Sequence, residues 1–477
     1  MELGQIVRSG MRWNVGMQIL SQLFTWSITI YILRILSPSD YGLIALGTAF
    51  MGLLSLVNTM GLGAAIVQKK DLKQEDIDTV FGFSLIISLC ICGLQIGTAS
   101  FVADFYGEPQ LFLILCILSL IFVISSLAII PHSLLLRDLS YKKLAITEFS
   151  TAISGSIVTL ILALLGMGVW ALVIGWITMR AVHLLILWYL RPYFRRPRFG
   201  FKRMLPILAF SGRVTISQIL WYFYAHSAAS LVVGKVMGKV MLGYFDVALY
   251  LACLPMEKVG GIINQVAFPA FSSIQGNVDL VGRHYLKAVR ILSFIAFPVF
   301  WGISSVAPEI IDVLLGQKWA LAEVPLALLA LVIPFRMVRN LMAPALIGLG
   351  RADVELRNEL VAMAFLPVSF LVGVNWGLLG VSLAWVLVFP VVFILSMLNF
   401  VKVIQIRARD IFKAMSRPLI IGLIMGLAVN GLEVLILDRL NIHLRLILQI
   451  TIGVIVYTSL SYAFNRDNFL EVYRMKN

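Results

Sequence analysis

Apolar runs of about 20 residues recur from one end of the chain to the other, and they constrain its fold more than any other feature. A helix of about 20 residues spans a hydrocarbon core of about 30 Å. Of the 477 residues, 60% are hydrophobic and 13% are charged, which is too few charges for a water-soluble surface. No run shows the alternation that marks a membrane barrel strand. The sequence therefore predicts an all-α polytopic membrane protein.

The apolar runs predict fourteen transmembrane helices. Lys and Arg are concentrated in alternate connections between them, beginning with the N-terminal segment. By the positive-inside rule, these connections and both termini are expected in the cytoplasm. The first span is too long for a cleaved signal peptide, so it is expected to remain as a helix. The predicted spans are residues 13–36, 43–66, 81–103, 111–134, 144–165, 169–190, 207–233, 242–264, 288–308, 321–347, 358–375, 378–401, 416–437 and 444–464.

Matching stretches about 200 residues apart indicate that the chain consists of two similar halves. The sequence Ser9-Gly10-Met11-Arg12 is followed later by Ser211-Gly212-Arg213, and Gly42 is matched by Gly243, 201 residues further on. Each half holds an even number of spans, so both copies have the same orientation in the membrane. They are expected to be related by an axis along the membrane normal.

A second matched pair supports the same division. Glu148 in the fifth span and Glu359 in the eleventh lie 211 residues apart. The basic segment between the halves is expected either to lie on anionic lipid headgroups or to dock a partner. The predicted organisation is an N-terminal six-helix lobe (1–190), a basic cytoplasmic linker (191–206), a C-terminal six-helix lobe (207–402), and a last pair of helices with short flanking segments (403–477).

The remaining bulk features exclude several classes of protein. The net charge of +14 is spread over short loops, so it predicts contact with membrane lipids and no nucleic-acid partner. The sequence contains no phosphate-binding loop and no H-E-x-x-H motif, so it predicts no cofactor, no metal and no enzyme activity. The four cysteines fall inside apolar spans, where they act as small hydrophobic residues.

Charges inside the spans are the candidates for function, because an uncompensated Arg or Lys at mid-membrane costs at least about 2.5 kcal/mol. Arg336 and Arg339 share one face of the tenth helix, as Arg180 and His183 share one face of the sixth. The deep cations outnumber the deep acids, which suits an anionic substrate group. The predicted substrate-binding residues are Arg12, Arg180, Arg213, Lys258, Arg336 and Arg339, and the candidates for proton coupling are His183, His226 and Glu257.

Each of these residues also has a structural alternative. Arg12 and Arg213 stand at helix ends, from which an arginine side chain can extend to the cytoplasmic interface. His183 and His226 can instead be satisfied core histidines that transfer no proton. Glu257 points to a different side of its helix from the next residue, and it can simply contact a neighbouring helix.

Three stretches match a known family pattern. Arg34–Gly42 resembles the R-x-L-x-P-x-D-[FY]-G turn between the first two helices of polysaccharide flippases. Phe268–Gln275 after the eighth helix and Gly316–Trp319 before the tenth resemble exporters of the O-antigen and colanic-acid type. These proteins form part of the multidrug/oligosaccharidyl-lipid/polysaccharide flippase superfamily. The resemblance covers nearly the whole chain in the same order.

The resemblance implies two six-helix bundles around a central cavity, here with an extra helix pair that would shelter a lipid tail. It implies transfer of an undecaprenyl-pyrophosphate-linked oligosaccharide from the cytoplasmic to the periplasmic leaflet of the bacterial inner membrane. The expected partners are that substrate, membrane lipids, and polysaccharide polymerase and co-polymerase proteins. The related peptidoglycan-precursor flippase has an arginine in its second helix that this chain lacks, so its headgroup geometry is not transferred.

Three other functions remain as alternatives. A cation-coupled multidrug exporter of the same superfamily would need acids deep in helices 1 and 7, where this chain has Arg213 and His226. A glycan polymerase or ligase would need a large periplasmic loop, and the predicted outer loops are short. A scaffold without transport would leave the buried arginines without a role.

Overall fold

The computed structural model describes residues 20–59, 63, 66–67, 73–193, 195, 197–198, 215–435 and 440–466, without side chains at 59, 257–270 and 433–435. These residues form helices and connecting turns, with no strand among them. Eleven helical stretches in this part of the chain are long and apolar enough to cross a membrane. Two of them, Thr215–Met256 and Ala352–Ile404, each overlap two predicted spans. The predicted all-α membrane fold is therefore confirmed.

We label the membrane-length helices α1 to α14. They are α1 (20–35), α2 (Pro38–Thr59), α3 (Gln74–Tyr106), α4 (Pro109–Arg137), α5 (Tyr141–Leu164), α6 (Val169–Leu190), α7 (215–237), α8 (239–273), α9 (Val278–Ser305), α10 (Glu323–Asn340), α11 (Ala352–Gly373), α12 (Gly377–Ile404), α13 (Ala408–Leu435) and α14 (Ile442–Phe464). Shorter helices cover Ala307–Leu314, Gln317–Ala322, Met342–Gly348 and Val374–Trp376. The first predicted span lies partly outside the described residues.

Two local features divide the helical stretch that begins at residue 215. Gly238 has φ 80° and ψ 175°, which only glycine adopts readily, and it separates α7 from α8. The turn Phe223–Ser227 within α7 is π-helical. A π turn inserts an extra residue into the helix and is often found at functional sites.

The chain divides into two compact units. The first unit comprises Met1–Tyr222 and Gly238–Gly243, and the second comprises Phe223–Met237 and Tyr244–Asn477. In the first unit, buried side chains of α4 such as Leu118 pack against α2 and α6. In the second unit, α9 packs against α13, α10 and α12. The lobe boundaries predicted from the sequence remain a prediction.

A turn geometry repeats at the distance that the sequence predicts for the two halves. Leu139, with φ 52°, follows α4, and Gly350, with φ 72°, follows the helix Met342–Gly348. In each case the next residue donates its N–H to the carbonyl oxygen five positions before it, at 2.9 and 2.8 Å. The two turns lie 211 residues apart, as do Glu148 and Glu359.

A reciprocal contact within the first unit joins the start of α2 to the start of α8. A Cβ atom at Gly42 would overlap the carbonyl oxygen of Lys239, and a Cβ atom at Gly243 would overlap the carbonyl oxygen of Pro38. Pro38 and Lys239 are themselves 201 residues apart, like the two glycines. The repeat therefore places equivalent backbone segments against each other, and only glycine permits this approach.

The first residues of the predicted basic linker pack on the N-terminal end of α3. The Tyr193 hydroxyl donates to Asp78 Oδ1 at 2.7 Å, and the ring of Tyr193 lies edge-on to Phe81. Arg198 forms an ion pair with Glu75 at 3.0 Å. Burial, with the hydrogen bond to Asp78, raises the pKa of Tyr193. This part of the linker is held by specific contacts; for the other linker residues, lipid contact remains a prediction.

Candidate functional site

Four of the predicted site residues cannot be placed by their side chains. Arg12 and Arg213 lie outside the described residues. Glu257 and Lys258 lie on α8, in a stretch whose side chains are not described. Their predicted roles therefore remain predictions.

Arg339 lies at the centre of a buried polar cluster in the second unit. It is 5% exposed and stands in the last turn of α10. Its Nη1 donates to the Tyr224 hydroxyl at 2.7 Å, and its Nη2 lies 3.3 Å from Glu359 Oε1. Nη2 also donates to the Asn358 carbonyl oxygen at 3.2 Å, and Nε donates to Ser396 Oγ at 3.4 Å. Three helices, α7, α11 and α12, thus supply partners to one guanidinium group.

The local helix geometry explains how these partners meet. Tyr224 belongs to the π-helical turn of α7, and it is 1% exposed. Glu359 lies two turns into α11 and is 3% exposed. Burying either charge alone would cost several kcal/mol, and each offsets that cost for the other. The Arg339 charge is therefore neutralised within the protein.

Arg336, one turn before Arg339 on α10, has a different environment. Its guanidinium lies 4.6 Å from the ring centroid of Trp385, and Nη1 contacts Cys253 Sγ at 3.5 Å. The side chain is 4% exposed, and no carboxylate among the described residues pairs with it. His226, a predicted proton-coupling residue, lies in the π-helical turn Phe223–Ser227. Arg336 is a deep cation held by an aromatic face and not by an acid.

Several polar atoms beside the two arginines have no hydrogen-bond partner. These atoms are Glu359 Oε2, Asn358 Nδ2 and Trp385 Nε1, all of them buried. Most buried polar groups in proteins form a hydrogen bond. Unpaired donors and acceptors beside a charge therefore mark a position at which another polar group can bind. Glu355, one turn before Glu359, is also buried, at 7% exposure. Two arginines and two glutamates therefore lie together in this cluster, and the net cationic interior remains a prediction.

A second titratable cluster lies in the first unit. His183 Nε2 on α6 stands 3.5 Å from Glu148 Oε1 on α5. The ring of His132 on α4 lies 6.1 Å from the ring of His183, between centroids. Arg180, one turn from His183, is exposed, and its charge acts on Glu148. The structure thus brings two predicted residues together with two that were not predicted as site residues.

Sequence reasoning missed most of the partners in these clusters. Glu148 and Glu359 carried a signal, because they match across the repeat and both lie within predicted spans. Tyr224 and Trp385 carried none, since aromatic residues are common throughout the spans. Among the described residues, no group of three or more His, Cys, Asp or Glu side chains is placed to hold a metal ion.

Comparison with known proteins gives a consistent set of relatives. The family described as "Polysaccharide biosynthesis protein" matches residues 32–323. The succinoglycan biosynthesis transport protein ExoT of Rhizobium meliloti is 26% identical over 460 residues, covering 94% of this chain and 92% of that protein. The lipopolysaccharide biosynthesis protein WzxC of Escherichia coli K12 is 25% identical over 411 residues, covering 84% and 82%. The teichuronic acid biosynthesis protein TuaB of Bacillus subtilis is 23% identical and covers 84% of each chain.

Solved structures share the fold. The lipid II flippase MurJ, in an inward closed conformation, matches with a TM-score of 0.73 and 17% identity, covering 95% of this chain and 99% of that one. An inward-facing multidrug resistance transporter of the MATE family matches with a TM-score of 0.61 and 17% identity, covering 80% and 96%. At these identities the likeness extends to the fold alone. The fold is that of multi-pass transporters, in agreement with the resemblance seen in the sequence.

Proposed function

This chain belongs to the polysaccharide biosynthesis protein family, and from that premise we propose that it is a flippase for a lipid-linked oligosaccharide. The substrate is an undecaprenyl-pyrophosphate-linked oligosaccharide for a surface polysaccharide, such as an exopolysaccharide, capsule or O-antigen. The protein carries it by alternating access from the cytoplasmic to the periplasmic leaflet of the bacterial inner membrane. It is a transporter and not an enzyme.

The proposal rests on one observation: this chain belongs to a polysaccharide biosynthesis family and shares the fold of a lipid flippase. The named relatives serve lipopolysaccharide, succinoglycan and teichuronic acid synthesis, and one of them is named a transport protein. Eleven helical stretches of the described residues are long and apolar enough to cross a membrane. Moving a precursor is the step of polysaccharide synthesis that such a chain is suited to perform.

Arg336 is the residue that we assign to the pyrophosphate. A guanidinium group binds two phosphate oxygens at once, with a geometry that an ammonium group cannot offer. Arg339 is occupied by Glu359 at 3.3 Å, whereas Arg336 has no acidic partner among the described residues. The aromatic face of Trp385 can hold the guanidinium of Arg336 while no substrate is present and release it at little cost.

The test uses the full-length protein in liposomes that contain a fluorescent undecaprenyl-pyrophosphate oligosaccharide. Transfer between leaflets is followed by the access of an external glycosidase to the sugar. We expect the wild-type protein to accelerate transfer. We expect Arg336→Ala to lower the rate by about 10- to 100-fold, as for a lost charge-assisted hydrogen bond of about 1.5–3 kcal/mol.

The matched control is Arg351→Ala, which removes an exposed arginine paired with Asp353 outside the spans. This variant should transfer the substrate at the wild-type rate. Wild-type protein that moved a cationic drug but not the lipid-linked oligosaccharide would favour the multidrug exporter and overturn the proposal. Equal rates for wild-type protein and Arg336→Ala would overturn the assignment of Arg336 alone.

A polysaccharide polymerase and its co-polymerase are the partners that we propose at the periplasmic side. They would consume the oligosaccharide that the flippase delivers. Membrane lipids are the other partner, since large apolar side chains such as Leu185 and Leu387 stand exposed on the helices, at 65% and 66%.

A further inference from the structure

The helix ends of α9 and α13 that are predicted to be cytoplasmic carry cations that the proposed transport site does not use. Residues 278–290 and 402–417 contain eight Lys and Arg residues and two acidic residues, Asp279 and Asp410. Asp410 Oδ2 accepts a hydrogen bond from the backbone N–H of Arg407 at 3.3 Å, at the start of α13. The acids in these segments are therefore too few to neutralise the cations.

The starts of α9 and α13 lie side by side. A Cβ atom at Gly282 of α9 would lie 2.6 Å from Cγ2 of Ile406, two residues before α13 begins. Further along, a Cβ atom at Gly422 of α13 would lie 3.4 Å from Cβ of Phe297 in α9. The two helices therefore run in the same direction and begin at the same level. Their first turns form one continuous surface.

Six cations of these first turns are spaced so that they lie on one side of each helix. Spacings of three and four residues place side chains on the same face of a helix. Five of the six residues are exposed, and the sixth is half-buried. We call the group the α9–α13 basic surface. It consists of Arg283, Lys287 and the half-buried Arg290 of α9, and Arg409, Lys413 and Arg417 of α13.

Several cations of the α9–α13 basic surface have no acidic partner in the part of the chain that the structure describes. Arg409 and Lys413 form no ion pair there. Arg290 Nε is buried, and no described atom accepts a hydrogen bond from it. By contrast, Arg191, at the corresponding end of α6, is paired with Asp138 at 3.6 Å. The α9–α13 basic surface thus offers positive charge and N–H donors to an external anion.

The residues that follow the basic surface along the helices indicate what the anion belongs to. Lys413 and Arg417 are followed seven residues later, on the same face of α13, by the exposed residues Ile420 and Ile424. On α9, the exposed residue Ile295 lies beyond the cations. Each helix thus changes from basic to apolar as it enters the membrane. A phospholipid has the same order of parts, an anionic phosphate followed by acyl chains, whereas a soluble acidic protein would match only the basic turns.

We propose that the α9–α13 basic surface is a binding site for an anionic phospholipid of the surrounding bilayer. The Arg and Lys side chains contact the headgroup phosphate, to which an arginine donates two hydrogen bonds. The acyl chains lie along Ile420 and Ile424 of α13. The bound lipid supplies the negative charge that the nearby acids do not, and it fixes the starts of α9 and α13 at the level of the headgroups. This inference is independent of the proposed flippase function.

The experiment measures binding of a fluorescent phosphatidylglycerol to the full-length protein in a neutral detergent, with no transport substrate present. The wild-type protein should bind it more tightly than phosphatidylcholine with the same acyl chains, and the affinity should fall as the salt concentration rises. Arg409→Gln combined with Lys413→Gln should weaken the binding of phosphatidylglycerol by about 25-fold, since each Lys or Arg near an anionic headgroup contributes about fivefold. Arg409→Lys combined with Lys413→Arg keeps both charges and should retain the binding.

The matched control is Arg351→Gln combined with Arg357→Gln, which removes two exposed cations at the start of α11 and changes the net charge equally. Its affinity for phosphatidylglycerol should equal that of the wild type. Wild-type affinity in the variant that lacks the charges of Arg409 and Lys413 would overturn the site. An equal loss in both double variants would also overturn it, because attraction to net charge alone would then explain the binding. A wild-type protein that bound phosphatidylcholine as tightly as phosphatidylglycerol would overturn the lipid assignment and favour an acidic protein as the partner. None of these results depends on transport, so the flippase function is tested separately.

Discussion

Arg339 and Glu359 neutralise each other inside the membrane-spanning part of the protein. Arg339 and Arg336, the two arginines of α10, therefore have different roles. The pair is 3.3 Å apart, and the side chains are 5% and 4% exposed. An arginine held in this way links α10 to α11 through Glu359 and to α7 through Tyr224. Arg336, which contacts Trp385, is the arginine that remains available to a substrate.

The stability of the Arg339 pair can be tested by a double-variant comparison. Arg339→Met is expected to lower the free energy of unfolding by about 3–5 kcal/mol, because it leaves a buried charge on Glu359 without a partner. Combining it with Glu359→Gln should recover most of that loss, because the unpaired buried charge on Glu359 is then removed as well. Thermal unfolding of the purified protein in detergent measures both effects.

Arg351→Met serves as the control, since Arg351 and Asp353 form an exposed pair, and its melting temperature should equal that of the wild type. A double variant that melted no higher than Arg339→Met would show that the two side chains do not stabilise each other.

At this scale the sequence predicted that the arginines were functional candidates but not which partner each one has. Depth within a span identified Arg336 and Arg339, because charges are rare there. Pairing depends on how helices approach each other, and residues three apart on one helix gave no sign of their different environments. Glu359 was recognised as a repeat partner of Glu148, yet its ion pair with Arg339 became evident only from the structure.

The backbones of α2 and α8 approach each other closely near the first residues of the two helices. Gly42 and Gly243 permit this approach, because a Cβ atom at either would overlap a carbonyl oxygen of the opposite segment. Lys239 in the same segment forms an ion pair with Glu108 at 2.7 Å, which adds a charged contact between α8 and the α3–α4 turn. The segment that carries the sequence repeat is thus also a close helix crossing.

Gly243→Ala is expected to destabilise the protein by about 1–3 kcal/mol, because backbone atoms cannot move aside as a side chain can. The melting temperature of the purified protein measures this effect. Gly97→Ala is the matched control, because Gly97 lies in α3 with nothing within 4 Å of an added Cβ atom. Equal melting temperatures for the two variants would contradict the close crossing.

Sequence patterns predicted the helices well where hydrophobicity sets their length. The sixth span was predicted as residues 169–190, and α6 is Val169–Leu190. The patterns did not predict the π-helical turn Phe223–Ser227 or the break at Leu341 between α10 and Met342–Gly348. Both features change the local backbone without changing the apolar composition. The π turn instead serves the contact of Tyr224 with Arg339, which lies far away in sequence.

At the scale of the whole molecule, the repeat and the distribution of charged residues predict the same orientation in the membrane. Lys and Arg are concentrated in alternate connections, so the connections α2–α3, α4–α5, α6–α7, α8–α9, α10–α11 and α12–α13 are expected on the cytoplasmic side. With this orientation, the Glu148 and His183 cluster is expected to lie nearer the cytoplasmic side than the periplasmic side.

Single cysteines on a background without Cys90, Cys92, Cys116 and Cys253 test this orientation in intact cells. Lys143→Cys stands in the connection predicted to be cytoplasmic, and Lys318→Cys stands in one predicted to be periplasmic; both positions are exposed. A membrane-impermeant maleimide should label Lys318→Cys and spare Lys143→Cys, because only the periplasmic face is reached. Permeabilised cells should show labelling of both, which controls for reactivity. Labelling of Lys143→Cys alone in intact cells would reverse the predicted orientation.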